Sequence, residues 1–121
     1  MEIVLDTNVL IEIVKNNKQT IKEVEEYDIH HISVITAMEL FYGAFNKTEL
    51  QKLKKFLELF NIIPIDENIS NIAKDLVYKY AKSHSLDIPD SLIASTALKI
   101  NLPLLSYNKK DFKFIDNLIL Y

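Results

Sequence analysis

At 121 residues, 49% apolar and 26% charged, the chain is long enough to bury a core in one domain and too apolar to stay disordered. It has no cysteine, which excludes disulfide frameworks and thiolate chemistry, and one glycine, which excludes the glycine-rich turns of P-loop and dinucleotide-binding proteins. The net charge of −3 argues at face value against a polyanionic partner, and with no arginine any phosphate contact must use lysine, backbone N–H or a metal ion.

The first strand spans Glu2–Leu5, a continuous apolar run of the kind buried on both faces of a parallel sheet. A helix follows over Asn8–Asn16, and Asp6, Asn8 and Glu12 interrupt what would otherwise be a signal-peptide apolar stretch. No apolar run approaches the roughly 18–20 residues of a membrane span, so a soluble cytoplasmic protein is expected. Next come a helix over Lys18–Tyr27, a strand over Ile29–Val34 and a helix over Thr36–Phe45. His30 and His31 are adjacent on that strand, point to opposite faces and cannot together hold a metal. Phe41, Tyr42 and Phe45 form an aromatic stripe suited to the core or to an interface.

After a loop at Asn46–Thr48, Leu50, Leu53, Phe56, Leu57 and Phe60 recur at helical spacing. A strand is expected at Ile62–Ile65. Ile69, Ile72, Ala73, Leu76, Val77, Tyr80 and Ala81 then mark a long amphipathic helix. A helix at Pro89–Asn101 and strands at Leu104–Ser106 and Leu118–Leu120 complete the chain. The order βααβααβααββ, without repeat or linker, points to one α/β domain over residues 1–121 with a mainly parallel sheet.

In such a sheet, ligand sites lie where strands turn into the following helices. Asp6 follows the first strand, Glu39 lies early in the helix after the second, and Asp90 begins the helix leading to the fourth. Asn108 and Asp111 follow the fourth strand. Each has a local explanation: Asp6 as an N-cap, Thr36 with Glu39 as a capping box, Asp90 after Pro89 as a first-turn acid, and Asn108 or Asp111 as caps of a short turn. Caps, however, have no need to cluster. Two unit charges about 4 Å apart repel by roughly 4 kcal/mol at an effective dielectric near 20. Gathered carboxylates therefore call for a cation, with Mg²⁺ or Mn²⁺ the natural oxygen-ligated choice.

The segments LDTNVLI, ITAMELFYG, IPDSLIASTA and SYNKKDF resemble, in order and over essentially the whole chain, the signature segments of PIN-domain ribonucleases. Among these the chain most resembles the VapC-type toxins of toxin–antitoxin pairs. The resemblance implies a PIN-like three-layer fold with a five-stranded, mainly parallel sheet flanked by helices. It also implies Mg²⁺- or Mn²⁺-dependent endonucleolytic cleavage of RNA, an antitoxin partner and a homodimer. Asp6 and Asp90 match the metal-binding aspartates, Glu39 the family's glutamate, and Thr7 the small hydroxyl residue lining the site.

The fourth position departs from the family's threonine-x-acid pattern, because the chain has Ser106-Tyr107-Asn108. Asn108 offers a neutral oxygen, so Asp111 is the candidate fourth acid, and one tight ion with a second, substrate-assisted one is expected. In this scheme Asp6 and Asp90 ligate the ion, Glu39 orients water or ligates through it, and Ser106 and Asn108 position the phosphate. The acids Asp6, Glu39 and Asp90 account for the whole net charge of −3, leaving the rest of the surface neutral. Lys109, Lys110 and Lys113, and the run Lys52, Lys54 and Lys55, are candidates to track an RNA backbone.

Two other readings fit parts of the sequence. A phosphoaspartyl receiver or phosphatase also places Asp after a core strand; the phosphatases need D-x-D, where this chain has Asn8, while Asp66 keeps the receiver in play. A non-catalytic PIN binding module is the other, favoured only by Asn108. Zinc hydrolysis is disfavoured by the absence of cysteine and of paired histidines.

Overall fold

Ile3, Val4 and Leu5 are all fully shielded from solvent, and this buried run is the centre of the molecule. In the computed structural model, which describes Met1–Tyr121, β1 (Glu2–Leu5) is followed by α1 (Thr7–Val14), α2 (Lys18–Glu25) and β2 (Ile29–Ser33). Then come α3 (Val34–Tyr42), α4 (Lys47–Leu57), β3 (Asn61–Ile63), α5 (Glu67–His84), α6 (Ile88–Ile100) and β4 (Leu104–Leu105). A 3₁₀ turn at Lys109–Asp111 follows. The sheet order is β3-β2-β1-β4, all parallel, with Val4 opposite both His31 and Leu104.

The three layers follow from the two-residue period of the strands. Ile3 and Leu5 pack with Val9, Leu10, Ile32 and Leu57 on the face covered by the first four helices. Val4 and its neighbour Leu104 point the other way, into Ile93, Ala94, Ala97 and Phe112. Helix α6 packs closely there because it is built of small residues. Its buried Ser91, Ser95 and Thr96 satisfy their hydroxyls on backbone carbonyls three or four residues back, so they carry no desolvation debt.

Several boundaries differ from the sequence expectation. Only four strands form; Leu118–Leu120 contributes a single parallel bridge, Leu120 to Leu104, in place of a fifth strand. Its approach is set by Asn117, whose left-handed backbone (φ 69°) turns the chain just before it. Strand β3 stops at Ile63 because Pro64 has no N–H to give a ladder. Helix α4 begins at Lys47, with Asn46 Oδ1 accepting from Glu49 N at 2.9 Å, so the expected loop is shorter. The Thr36–Glu39 capping box does not form: α3 starts two residues earlier, at Val34, with Ser33 as its cap.

Asp66 caps α5 through Ile69 N at 2.8 Å and pairs with Lys99 at 3.1 Å. These two contacts, the backbone one foremost, hold its carboxyl below the usual range. That is a helix cap, and it removes the observation on which the receiver reading stood. Both histidines of β2 are structural: His31 is buried between Glu2 Oε1 (2.6 Å) and Asn61 Nδ2 (2.8 Å), and half-buried His30 meets Val24 O at 2.8 Å. The aromatic stripe divides, Phe41 packing on the core while Tyr42 and Phe45 are 95% and 91% exposed. No helix is long and apolar enough to cross a membrane.

Candidate active site

The carboxyl ends of the strands carry the acids. Asp6 leaves β1 in an extended conformation and does cap α1, its Oδ1 accepting from Thr7 N at 2.8 Å. Its other oxygen accepts the Ser106 hydroxyl at 2.7 Å, delivered by the end of β4, which lies beside β1. Burial pushes the Asp6 carboxyl above its ordinary value; the Ser106 and Thr7 bonds oppose this, and the charges of Glu39 and Asp111 add to it.

Glu39 comes from the second turn of α3 and is held by the Thr7 hydroxyl, which reaches its Oε1 at 2.7 Å. Thr7 also lies 3.0 Å from the hydroxyl of buried Thr36. One hydroxyl has one proton, and the carboxylate can only accept, so Thr7 donates to Glu39 and accepts from Thr36. The helix position of Thr36 thereby orients Glu39 through a two-hydroxyl relay.

Asp90 stands in the first turn of α6. The helix is capped by Asp87, whose Oδ1 accepts the Asp90 N–H at 2.8 Å. The Asp90 carboxyl is pushed up to about 7 by burial first, then by the charges of Asp87, Asp6, Asp111 and Glu39. Asp111, in the 3₁₀ turn, accepts from Asn108 Nδ2, while Asn108 N donates to Ser106 Oγ at 3.0 Å.

The four acids expected from sequence are thus brought to one edge of the sheet, near enough for each other's charge to matter. They do not close into a ready coordination sphere: no group of three or more His, Asp or Glu side chains is close enough to hold a metal ion. The donor set is wholly oxygen, four carboxylates with the Asn108 amide and the Thr7 hydroxyl, which suits hard cations such as Mg²⁺ or Mn²⁺ and not zinc.

Ser106 is fully buried, and its hydroxyl is used on Asp6, so it reaches the site through that acid. Lys109, Lys110 and Lys113 are exposed just past this loop, and Lys52, Lys54 and Lys55 are exposed on α4. Three participants were missed in the sequence: Thr36, Asp87 and Asn8. Asn8 Oδ1 accepts from Tyr107 N at 3.2 Å and its Nδ2 lies 3.5 Å from Ser106 Oγ, tying α1 to the β4 loop. Asp87 had a legible signal, an acid three residues before Asp90 at a helix start. The other two depend on pairing that no local pattern reports.

A family model described as the PIN domain matches residues 3–118, a span holding all four acids. The chain is 38% identical over 114 residues to the ribonuclease VapC1 of Methanocaldococcus jannaschii, covering 93% of this chain and 79% of that protein. A toxin–antitoxin complex from Klebsiella pneumoniae superposes with a TM-score of 0.82 at 31% identity, covering 96% of this chain and 94% of its own. VapBC2 from Rickettsia felis, bound to a DNA fragment from its promoter, gives 0.84 at 29% identity, covering 100% and 98%. On this agreement of sequence and fold, the chain belongs to the PIN-domain family, among the VapC ribonucleases.

Proposed function

We propose that this chain is a divalent-metal-dependent endoribonuclease, the toxin of a toxin–antitoxin pair acting in the cytoplasm. The observation that carries the reading is the placing of Asp6, Glu39, Asp90 and Asp111 on one edge of the sheet, where Asp90 is pushed up to about 7 by its own burial and the surrounding acids. A fold that gathers charge in this way gains from a bound cation. Asp6 and Asp90 would hold it, with Asp111 and the Asn108 amide oxygen beside them. A bound Mg²⁺ or Mn²⁺ supplies a Lewis acid for the phosphate and lowers the pKa of an attacking water.

The chain's own residues do the rest. Ser106 and Thr7 N–H fix both oxygens of Asp6, so its carboxylate is set before substrate arrives. Glu39, aimed by Thr7 and Thr36, orients the attacking water and accepts its proton. Asn108 meets the phosphate, and Lys109, Lys110 and Lys113 follow the RNA backbone on either side.

The antitoxin reading rests on the toxin–antitoxin complexes among the structural neighbours and on an apolar cleft of about 820 Å³ between α1, α3 and α4. Ile11, Val14, Leu40, Phe45 and Phe56 line it together with Glu39, so a segment seated there reaches the acids. A homodimer belongs to the same reading and is checked by sedimentation of the purified chain.

The deciding experiment is cleavage of a mixed RNA pool in Mg²⁺, Mn²⁺ or EDTA by the purified protein and by Asp90→Asn. Metal-dependent cleavage lost in the variant supports the proposal. Cleavage that persists in EDTA, or in Asp90→Asn, defeats it.

A further inference from the structure

A second cleft, of about 420 Å³, lies beside the acids between α1, the start of α2 and Tyr107, and it is polar where the antitoxin cleft is apolar. We propose that it is a binding site for one unpaired RNA base carrying an exocyclic amino group, next to the phosphate that is cut. The volume falls in the range of small-molecule pockets, roughly 300–1,000 Å³.

The cleft is built, in that several of its polar groups are already used to hold its shape. Asn17 Oδ1 caps α2 at Thr20 N, and its Nδ2 donates to Glu12 Oε1 at 3.0 Å. The Tyr107 hydroxyl is pinned between Glu23 Oε1 (2.8 Å) and Thr20 Oγ1 (2.9 Å), which anchors the tip of a ring whose residue remains 44% exposed. Asn8 holds the Tyr107 backbone from the other side. What remains for a ligand is the ring, the amide of Gln19 and the second oxygen of Glu23. An aromatic face with a few edge-reading polar groups is how proteins take single unstacked bases.

Charge selects the occupant. No lysine lines the cleft, while Glu12 and Glu23 do; Glu12 is engaged by Asn17 and by Lys15 at 3.7 Å, so Glu23 carries the free charge that disfavours phosphate and favours a neutral, donor-bearing group. A carboxylate oxygen accepts from the amino group of cytosine, adenine or guanine. Uracil has no exocyclic amino group; its one ring donor, N3–H, is flanked by two carbonyl oxygens that the carboxylate repels, so it is disfavoured.

Position ties the base to the chemistry. Tyr107 is one residue from Ser106, whose hydroxyl touches Asp6 at 2.7 Å. Asn8 lines the cleft two residues after Asp6, and its Nδ2 lies 3.5 Å from Ser106 Oγ, so a base held there has its sugar and phosphate on the side of the acids. This part rests on the ribonuclease reading, so the test is chosen to separate the two.

The probe is the metal-free full chain, titrated with cytidine, guanosine, adenosine or uridine while the side-chain amide signals of Asn8 and Gln19 are followed by NMR. The amino-bearing nucleosides should shift these signals at concentrations about tenfold below uridine, since one base-edge contact is worth about that in discrimination. Glu23→Gln, an exposed and isosteric change whose thermal melt checks the fold, should erase the preference. Tyr107→Phe keeps the ring and should retain binding, whereas Tyr107→Leu should weaken all four nucleosides about tenfold. Equal response to uridine, an unchanged preference in Glu23→Gln, or no response at all overturns the proposal. Nucleoside response without RNA cleavage would sustain the base site and defeat the ribonuclease reading; cleavage without nucleoside response would do the reverse.

Discussion

Ser106 and Asp6 lie one hundred positions apart in the chain, and the Ser106 hydroxyl donates to Asp6 Oδ2 at 2.7 Å in the buried floor of the site. The bond exists because β1 and β4 are parallel neighbours ending at the same level, Leu5 opposite Leu105. It is the foremost of the contacts that oppose the upward push of burial on the Asp6 carboxyl, and it holds that carboxyl in place.

Ser106→Ala should therefore act on stability and on Asp6 together. Removing one donor from a buried acceptor costs about 1–3 kcal/mol, read as a lower urea midpoint at pH 7.5. RNA cleavage should fall, and Ser106→Thr should restore part of it. A variant as stable and active as the parent would remove Ser106 from the site.

Asp90→Asn separates function from stability. Activity should drop at least a hundredfold in Mg²⁺, while the metal-free protein becomes more stable at pH 8, because the change relieves repulsion from Asp87, Asp6, Asp111 and Glu39. Thermal melts in EDTA beside cleavage rates test both halves.

The pH dependence has a definite sign. Asp90 titrates near 7 in the fold, above its ordinary 3.8, so the folded chain holds the proton more tightly than the unfolded chain. Its contribution favours the fold below pH 3.8 and is lost as pH rises through about 7. Mg²⁺ should consequently raise the melting temperature more at pH 8 than at pH 5, and that difference should shrink in Asp90→Asn. Equal Mg²⁺ shifts at both values would refute the link.

Asp87→Asn keeps a good N-cap for α6 and removes the largest single charge acting on Asp90. The Asp90 titration should move down, and with it the window in which stability falls. Asp87→Ala removes the cap too and should cost about 1 kcal/mol more, measured by denaturant unfolding.

Thr7→Ala frees the Glu39 carboxylate from its hydroxyl partner and should lower kcat about tenfold with little change in KM, as expected when a group acting on the attacking water is left unaimed. Thr7→Ser, which keeps the hydroxyl, should recover most of the rate. Equal kcat in all three proteins would remove the relay from Thr36 through Thr7.

Much of this arrangement was legible in the chain. Asp6, Glu39 and Asp111 could be picked out because each stands just after a strand gives way to a helix or turn, and Asp90 because it opens the helix that leads into β4; parallel sheets present those ends together. The bland reading of Asp6 was legible as well, and it turned out compatible with the other: one oxygen caps α1 while the second meets Ser106. Less visible were Thr36, which looked like part of a capping box and instead feeds Thr7, and Asn8 and Tyr107, whose pairing needs α1 and the β4 loop to be side by side.

The sequence by itself determined the order and kind of the elements and the strand ends at which acids stand. These follow from burial of one face or one stripe, a local property carried by residues two to four positions apart. Tertiary structure alone decided that Leu118–Leu120 makes one bridge and not a strand, that Glu39 is aimed by Thr7, and that Asp90 is pushed up to about 7. Those outcomes depend on distances between groups on different elements, 16 positions apart for Leu104 and Leu120, 32 for Thr7 and Glu39 and 84 for Asp6 and Asp90. Coulomb and hydrogen-bond energies change with each ångström of such a distance, and no local pattern of residues encodes it.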